Sequence, residues 1–464
     1  MVYNPDSTIA AIATPSGEGG IAVIRVSGDN AFSVVDGFFS GALLLANAKS
    51  HTAHYGKFST INGEVLDNVL ATVFIAPHSY TGENTVEISC HGGNFIAKKI
   101  LSSLLGSNVR LAAPGEFTMR AFLNNKIDLA QAEAVADLIH ASTEKSHRAS
   151  LDQLSGLLSK HINSLRKKLL DLCSLVELGL DFSEEGIEII KKDDLLAGLD
   201  STLIAIKNLS DSFSTGKIIK GGIKTVLLGK PNSGKSSLLN LLLNTNRAIV
   251  SETPGTTRDT IDESLQIGGL LFRLIDTAGL RDLTGDSIEK EGMLRTINEI
   301  ESSDLLIFLI DLSTKSPQED LNYLISLTSS KFSNHKIVLL LNKVDLINQK
   351  HNDFNIPNVD FSLEISCKTG VGVDKLKEML PKLFIDDSKI DPSLPVVQSL
   401  RHKEALEKAY DSCLFAKGSV LNGLSGDFVA VDLRNALDSL GDIVGATTTD
   451  DILNNIFSQF CVGK

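Results

Sequence analysis

Between residues 218 and 384 five short apolar runs, KTVLLG, LFRLIDTAG, DLLIFLIDLS, HKIVLLLNKVD and FSLEIS, alternate with helical patterns. Runs that are apolar on both faces need a sheet covered on both sides, and strands joined by helix-length connections pair in parallel. The alternation therefore predicts a doubly wound parallel α/β unit. The flanking segments read differently. Leu151, Leu154, Leu158, Ile162, Leu165, Leu169, Leu172 and Val176 are spaced by threes and fours, the stripe of one long helix. Leu195, Leu196, Leu199, Leu203, Ile206 and Leu209 repeat the pattern after the acidic turn DFSEEG. Beyond residue 384 only helical patterns follow, in SLRHKEALEKAYDSCLFAKG and DFVAVDLRNALDSLGDIVG. Neither helical segment has a second apolar layer of its own, so the two are expected to pack together around an inserted α/β unit. Residues 1–118 mix β-rich runs (GGIAVIRVSG, NVLATVFIA, TVEISCHGG) with Gly and Pro punctuation, the pattern of a small α/β or α+β domain.

A chain of 464 residues exceeds one ordinary core, so several domains are expected. With 42% hydrophobic and 22% charged residues it reads as soluble and globular. No apolar run is long enough to span a bilayer, and MVYNPDSTIAAIATPSGEGG lacks the basic start and apolar stretch of a signal peptide. A cytoplasmic location is expected. The five cysteines are scattered without metal-ligand spacing, which favours reduced thiols. Cys90, Cys173, Cys367 and Cys413 read as buried small hydrophobes, and His91 and His140 as structural histidines. A formal net charge of -13 argues against a sequence-blind nucleic-acid binder, though not against a local basic patch on an acidic body.

GKPNSGKS, Gly229 to Ser236, sits between an apolar strand pattern and an apolar helix pattern. In that context GxxxxGK[ST] converges backbone N–H groups on phosphate oxygens at a helix N-terminus. Asn232, Ser233, Gly234, Lys235, Ser236 and Ser237 make up the loop and the first helical turn. Lys235 would reach the β- and γ-phosphates, and the Ser236 hydroxyl would ligate Mg²⁺. Asp276, Thr277, Ala278 and Gly279 (DTAG) close the next strand pattern, where a carboxylate can approach Mg²⁺ and a glycine amide the γ-phosphate. Asn342, Lys343, Val344 and Asp345 (NKVD) close a later one. The Asp345 carboxylate can accept both N–H donors on one edge of guanine, a pair adenine lacks. Ser366, Cys367 and Lys368 close the base pocket. Together these motifs select GTP over ATP and identify a Ras-like GTPase unit of the translation-factor-related branch.

Where Ras-type enzymes carry a water-orienting glutamine this chain has Leu280, which cannot hydrogen-bond. Two features compensate. The loop Ser251, Glu252, Thr253, Pro254, Gly255, Thr256, Thr257 offers Thr257 to Mg²⁺. Its carbonyls, with the Asn232 side chain, can hold a monovalent cation such as K⁺ in place of an arginine finger. Glu289 in GDSIEKEG is the candidate for positioning water.

GGIAVIRVSG, PGEFTMRAFLNNKIDLAQAEAVADLI, GKPNSGKSSLLN, PGTTRD, DTAGLRD and the final FCVGK together resemble the bacterial tRNA-modification GTPase family MnmE (TrmE), along the whole chain. The resemblance implies a Ras-like G domain (218–384) inserted in a discontinuous helical domain (120–217 and 385–464), preceded by an α+β folate-binding and dimerisation domain (1–119). It implies a homodimer whose G domains pair in a potassium-dependent way. With an FAD-dependent partner, MnmG (GidA), such proteins add a carboxymethylaminomethyl or aminomethyl group at C5 of the wobble uridine of certain tRNAs, using a tetrahydrofolate one-carbon unit (5-formyl or 5,10-methylene). The same resemblance assigns K⁺ to Asn232, Ser251, Thr253 and Thr256, Mg²⁺ to Ser236 and Thr257, and catalysis to Glu289. Because DLTGDSIEKEG is longer than the commonest family pattern, Glu291 is the fallback. Folate contacts fall on Arg25, Glu87, Lys126 and Lys464.

Two rival readings share part of this pattern. A ribosome-assembly GTPase also carries PNSGKS, PGTTRD and NKVD, yet it calls for a basic RNA-binding module that the acidic balance does not offer. The other rival is a folate-binding scaffold whose G domain acts only as a switch. FCVGK resembles a prenylation box poorly, since Gly and Lys fill its last two places. TTTDDILNNIFSQF instead predicts a capped, docked helix that brings the last residues to a fixed place. The family resemblance implies that this place is the folate pocket, with Lys464 touching the cofactor and Cys461 the candidate modification thiol.

Overall fold

The computed structural model describes residues 7–105, 108–181, 191–246, 262–275, 299–314, 316–328, 335–347, 359–386, 391, 393–447, 449–458 and 460–464. The chain divides into two compact units. One is Met1–Ala136, Leu154–Leu199 and Asp411–Lys464; the other is Asp137–Gln153 and Asp200–Tyr410.

In the first unit the strands are β1 (Thr8–Ile12), β2 (Ile21–Ser27), β3 (Phe39–Gly41), β4 (Thr52–Ser59), β5 (Val65–Phe74), β6 (Thr85–His91) and β7 (Val109–Leu111). They form one sheet in the order β3-β4-β5-β6-β2-β1-β7, antiparallel except for the β1–β7 pair. The period of two in IAVIRVS sends Ala22, Ile24 and Val26 into the core and Val23 and Arg25 to the opposite face. Helices Ala31–Asp36 and Asn94–Leu105 cover the apolar face with Val35, Ile100 and Leu104.

The second unit holds β8 (Ile223–Leu228), β9 (Asp262–Ile267), β10 (Leu270–Ile275), β11 (Leu305–Asp311), β12 (Lys336–Asn342) and β13 (Phe361–Glu364) in the order β13-β12-β11-β8-β10-β9. Five of these strands are the expected parallel ones, with apolar clusters on both faces of the sheet. β9 was not anticipated. It pairs antiparallel with β10 across a turn in which Gly268 (φ 57) and Gly269 (φ 77) take left-handed conformations. Only Leu265 and Ile267 of DESLQI are apolar, so this edge strand lacks the continuous apolar signal of its neighbours.

The single long helix expected over Leu151–Val176 is two helices, Glu144–Leu154 and Leu157–Asp181. Gly156 lies between them at φ 84, a conformation no α-helix passes through. The stripe is kept on the second helix, where Leu158, Ile162, Leu165, Leu169, Cys173 and Val176 are buried, whereas Leu151 on the first is exposed. Helix Gly426–Val444 packs along Leu157–Asp181 through Val429, Leu433, Ala436 and Leu440. Its first turn is capped by Ser425, and Gly445 (φ 82) ends it. Cys90, Cys173 and Cys413 are buried as expected, but Cys367 is only half-buried. Burial, opposed in part by the Asn342 side chain, pushes its thiol up to about 11. Among the described residues no helix is long and apolar enough to cross a membrane.

A fully buried guanidinium ties helix Glu116–Leu123 to the sheet. Arg120, with no exposed surface, donates through Nη1 to Glu83 (2.9 and 3.1 Å) and through Nη2 to the Ser7 carbonyl (2.7 Å) and Glu116 (3.1 Å). Glu116 also accepts from Arg110 Nη1 (2.8 Å) and the Ala113 amide (2.8 Å). Burial alone would raise the Glu116 carboxyl, but the hydrogen bonds from Arg110 and Ala113 and the two guanidinium charges hold it below its ordinary value of 4.5. A lowered carboxyl stabilises the fold above its unfolded value and loses that contribution as pH falls through the folded value. Glu116→Gln should therefore lower the unfolding free energy at pH 7 by about 1–3 kcal/mol in a urea titration. The difference from the parent chain should close below about pH 4.5, and an unchanged midpoint at pH 7 would contradict this role.

Candidate functional site

The parallel register brings the C-terminal ends of β8, β11, β12 and β13 to one edge of the sheet. The phosphate loop follows β8 and opens helix Lys235–Asn246. Its backbone admits only glycine at two places. A Cβ on Gly229 would lie 2.6 Å from the Leu309 carbonyl oxygen, and one on Gly234 (φ 105) would lie 2.2 Å from Asn342 Nδ2. Asn232 takes a left-handed φ of 62, placing it at the loop's exposed tip. Lys235 Nζ donates to the carbonyls of Gly229 (2.8 Å) and Lys230 (3.0 Å), folding the ammonium over the loop mouth. Ser236 and Ser237 are exposed at the helix start. Ser233 Oγ is buried with no partner in the loop.

Asn342 joins this loop to the base pocket. Its buried amide donates to the Ser233 carbonyl (2.7 Å) and accepts from the Cys367 amide (3.1 Å). Ser366 Oγ donates to Asp345 Oδ1 (2.6 Å) and accepts from the Thr369 amide (3.2 Å), so the exposed carboxylate is held in one orientation. Lys343 adopts φ 69 and pairs with Asp311 at 2.5 Å. Burial would raise the Asp311 carboxyl, but hydrogen bonds from Lys343 and Ser313 outweigh it and hold the group below the usual carboxylate range. Val344 begins a short 3-10 turn, and Lys368 is exposed beside the pocket. The structure thus brings together the residues expected from GKPNSGKS, NKVD and SCK. The ion pair Asp311–Lys343, invisible in the motif pattern, buttresses the base loop.

The remaining residues expected at the nucleotide site lie outside the described residues: Ser251, Glu252, Thr253, Pro254, Gly255, Thr256, Thr257, Asp276, Thr277, Ala278, Gly279 and Glu289, together with its fallback Glu291.

The second candidate site lies on the open face of the first unit's sheet. Arg25 and Glu87 are directly cross-strand, and their side chains pair at 2.8 Å. The Arg25 guanidinium lies 5.2 Å from the centre of the Tyr80 ring and 5.5 Å from that of Phe117. Tyr80 OH bonds Thr118 Oγ1 at 2.9 Å. Lys126 is near the same loop, its ammonium on the Pro77 carbonyl at 2.9 Å. The expected helix is present as Asp450–Ser458. Beyond it, Phe457 and Phe460 seat against Leu129 and Ala132. The last residues are then pinned by backbone bonds. The Gly115 amide donates to the Cys461 carbonyl (3.4 Å) and the Phe117 amide to the Lys464 carbonyl (3.1 Å). Gly463 (φ 98) fits where a Cβ would be 2.3 Å from the Ile12 carbonyl oxygen. Cys461 is left exposed while Phe460 and Gly463 are buried.

Phe117 and Tyr80 were not anticipated at this site. The signal for Phe117 was the PGEF turn, in which Gly115 (φ 68) admits no side chain because the Phe457 carbonyl lies 2.5 Å from its would-be Cβ. His91 is exposed rather than packed, with Nδ1 on Asp67 at 2.7 Å.

Comparisons with known proteins agree with this layout. The family described as MnmE helical domain matches residues 129–461, and the one described as GTP-binding protein TrmE N-terminus matches residues 8–126. A protein of Salinibacter ruber named tRNA modification GTPase MnmE is 45% identical over 463 residues, 98% of this chain and 99% of that protein. Proteins of the same name from Flavobacterium psychrophilum (43%, all of both chains) and Protochlamydia amoebophila (41%, all of this chain and 98% of that one) are similar. Matches of this kind outside the nucleotide-binding unit set aside the ribosome-assembly reading. The chain belongs to the tRNA modification GTPase family MnmE.

Proposed function

We propose that this GTPase couples two centres, one hydrolysing GTP at the edge of the parallel sheet and one modifying the wobble uridine of tRNA beside Arg25 and Cys461. In this reading residues 218–384 are a G domain inserted in a helical domain of 120–217 and 385–464, and residues 1–119 bind folate and dimerise. The working unit is a cytoplasmic homodimer with an FAD-dependent MnmG (GidA) partner. The product is a carboxymethylaminomethyl- or aminomethyl-substituted uridine.

At the first centre the residues fit a guanine nucleotide. Gly229 and Gly234 let the loop close against the Leu309 carbonyl and the Asn342 amide, which gives GxxxxGK[ST] the tight turn that aims backbone N–H groups at phosphate oxygens. Lys235 exchanges its two loop carbonyls for β- and γ-phosphate oxygens. Asp345, fixed by Ser366, reads the guanine edge. Ser236 and Thr257 would hold Mg²⁺. Asn232, the carbonyls of Ser251 and Thr253, and Thr256 would hold K⁺. Bound K⁺ supplies the positive charge that an arginine finger supplies in other GTPases. Glu289, or Glu291, orients the attacking water.

At the second centre Arg25, Glu87, Lys126 and Lys464 would hold a tetrahydrofolate derivative, whose bound form supplies the one-carbon unit. The Arg25–Glu87 pair suits that ligand. The carboxylate can accept from a pterin amino edge, the cations attract a glutamate tail, and the Tyr80 and Phe117 rings offer stacking surface. The observation that supports this reading most is the pinned tail, whose Lys464 carbonyl takes the amide of Phe117, the residue whose ring lies 5.5 Å from the Arg25 guanidinium, with Cys461 exposed three residues earlier.

Two measurements test the centres separately. Replacing K⁺ by Na⁺ should slow GTP hydrolysis by about tenfold or more, since the comparable arginine finger is worth still larger factors; equal rates would remove the cation role of Asn232. Cys461→Ser should hydrolyse GTP at the parent rate and abolish or sharply lower tRNA modification in a reconstituted assay. Full modification by that variant would return the cysteine to a structural role.

A further inference from the structure

An acidic chain that acts on RNA needs a local basic surface, and the first unit contains one. Helix Leu157–Asp181 carries Lys160, Arg166, Lys167 and Lys168 and no acidic residue before Asp171. Lys160, Lys167 and Lys168 are exposed. None of these four cations forms an ion pair among the described residues. Their helix borders an open cavity of about 610 Å³, lined by Asn125, Lys126, Asp128, Gln131, Asn163 and Arg166 among others.

The polar groups of that cavity are not equally available. Asp128 and Gln131 are spent on a reciprocal cap of helix Leu129–His140, at 2.8 and 3.0 Å, and Gln131 Nε2 also donates to the Leu154 carbonyl. Lys126 Nζ is held by Pro77. Arg166 differs. Its Nε is buried with no partner, and Nη1 reaches only Asn163 Oδ1 at 3.5 Å, the limit of a hydrogen bond. A half-buried guanidinium that lines the cavity, with its Nη groups weakly engaged among the described residues, offers the paired donors that a phosphate accepts. Lys160 and Lys167, two turns apart on one face of the helix, extend the positive charge along it and call for a ligand with repeating charge rather than a single free anion.

We propose that this cavity and the basic face of helix Leu157–Asp181 bind the phosphate backbone of the substrate RNA, with Arg166 seating one phosphate in the cavity. The inference rests on the reading of tRNA as substrate. Its location serves that reading: Phe122 lines the cavity and packs 6.5 Å, ring to ring, from Phe457, on the helix that delivers Cys461. A phosphate held there anchors the RNA on the surface that positions the exposed thiol.

The test is the affinity of the full chain for a tRNA transcript, measured across a salt series. Arg166→Gln should weaken binding about fivefold or more near 100 mM salt and reduce the salt slope by about one. Arg166→Lys should keep the slope and lose part of the affinity. The exposed pair Lys160→Gln with Lys167→Gln, on one face of the helix, probes this surface without touching a half-buried site, and should lower the slope further. GTP hydrolysis without RNA should be unchanged in all three. Parent-like affinity and slope in both Arg166→Gln and the lysine pair would overturn the site. A parent chain that binds no tRNA at low salt would overturn instead the substrate reading beneath it.

Discussion

The amide of Asn342 is the contact on which the nucleotide site depends. It reaches from the end of β12 to the Ser233 carbonyl on one side and the Cys367 amide on the other. One buried side chain thereby sets the phosphate loop against the base loop. Each bond is worth about 0.5–1.5 kcal/mol net, but removing the amide would orphan the buried Ser233 carbonyl at about 1–3 kcal/mol, as well as the partly buried Cys367 amide. The same contact explains why position 234 must be glycine, since the amide nitrogen occupies the space a Cβ would take. The phosphate loop and the base loop are therefore joined through one side chain.

The placement of the C-terminal residues rests on a comparable close approach. Gly115 and Gly463 each lie where a side chain would collide with a backbone carbonyl, and each lets the last residues settle against the sheet's first strands. Backbone bonds from Gly115 and Phe117 then fix Cys461 and Lys464, whatever their side chains do. Beneath them Arg120 and Glu116 lock the segment that makes those bonds, which links the stability of the fold to the placement of the thiol.

Much of this was legible in the residue pattern. Strands apolar on both faces have one stable placement, so the parallel sheet and the strand ends bearing GKPNSGKS, NKVD and SCK could be read directly. The edge strand β9 could not, because a half-exposed edge leaves a weak signal. The break at Gly156 was hidden by a leucine spacing that continues in register across it. Around Arg25 no local pattern pointed to Tyr80 and Phe117, which arrive from a loop and a helix far along the chain. The availability of Arg166 was hidden for another reason. Its importance depends on which neighbouring donors are already used, a property of packing rather than of any local motif.

The central claim is that a GTPase and a uridine-modifying centre work together in this chain. Nucleoside mass spectrometry of tRNA from cells lacking it tests that claim most directly. The account requires the C5-substituted wobble uridine to disappear and to return when the chain is restored. Wobble uridines that stay fully modified in its absence would contradict it.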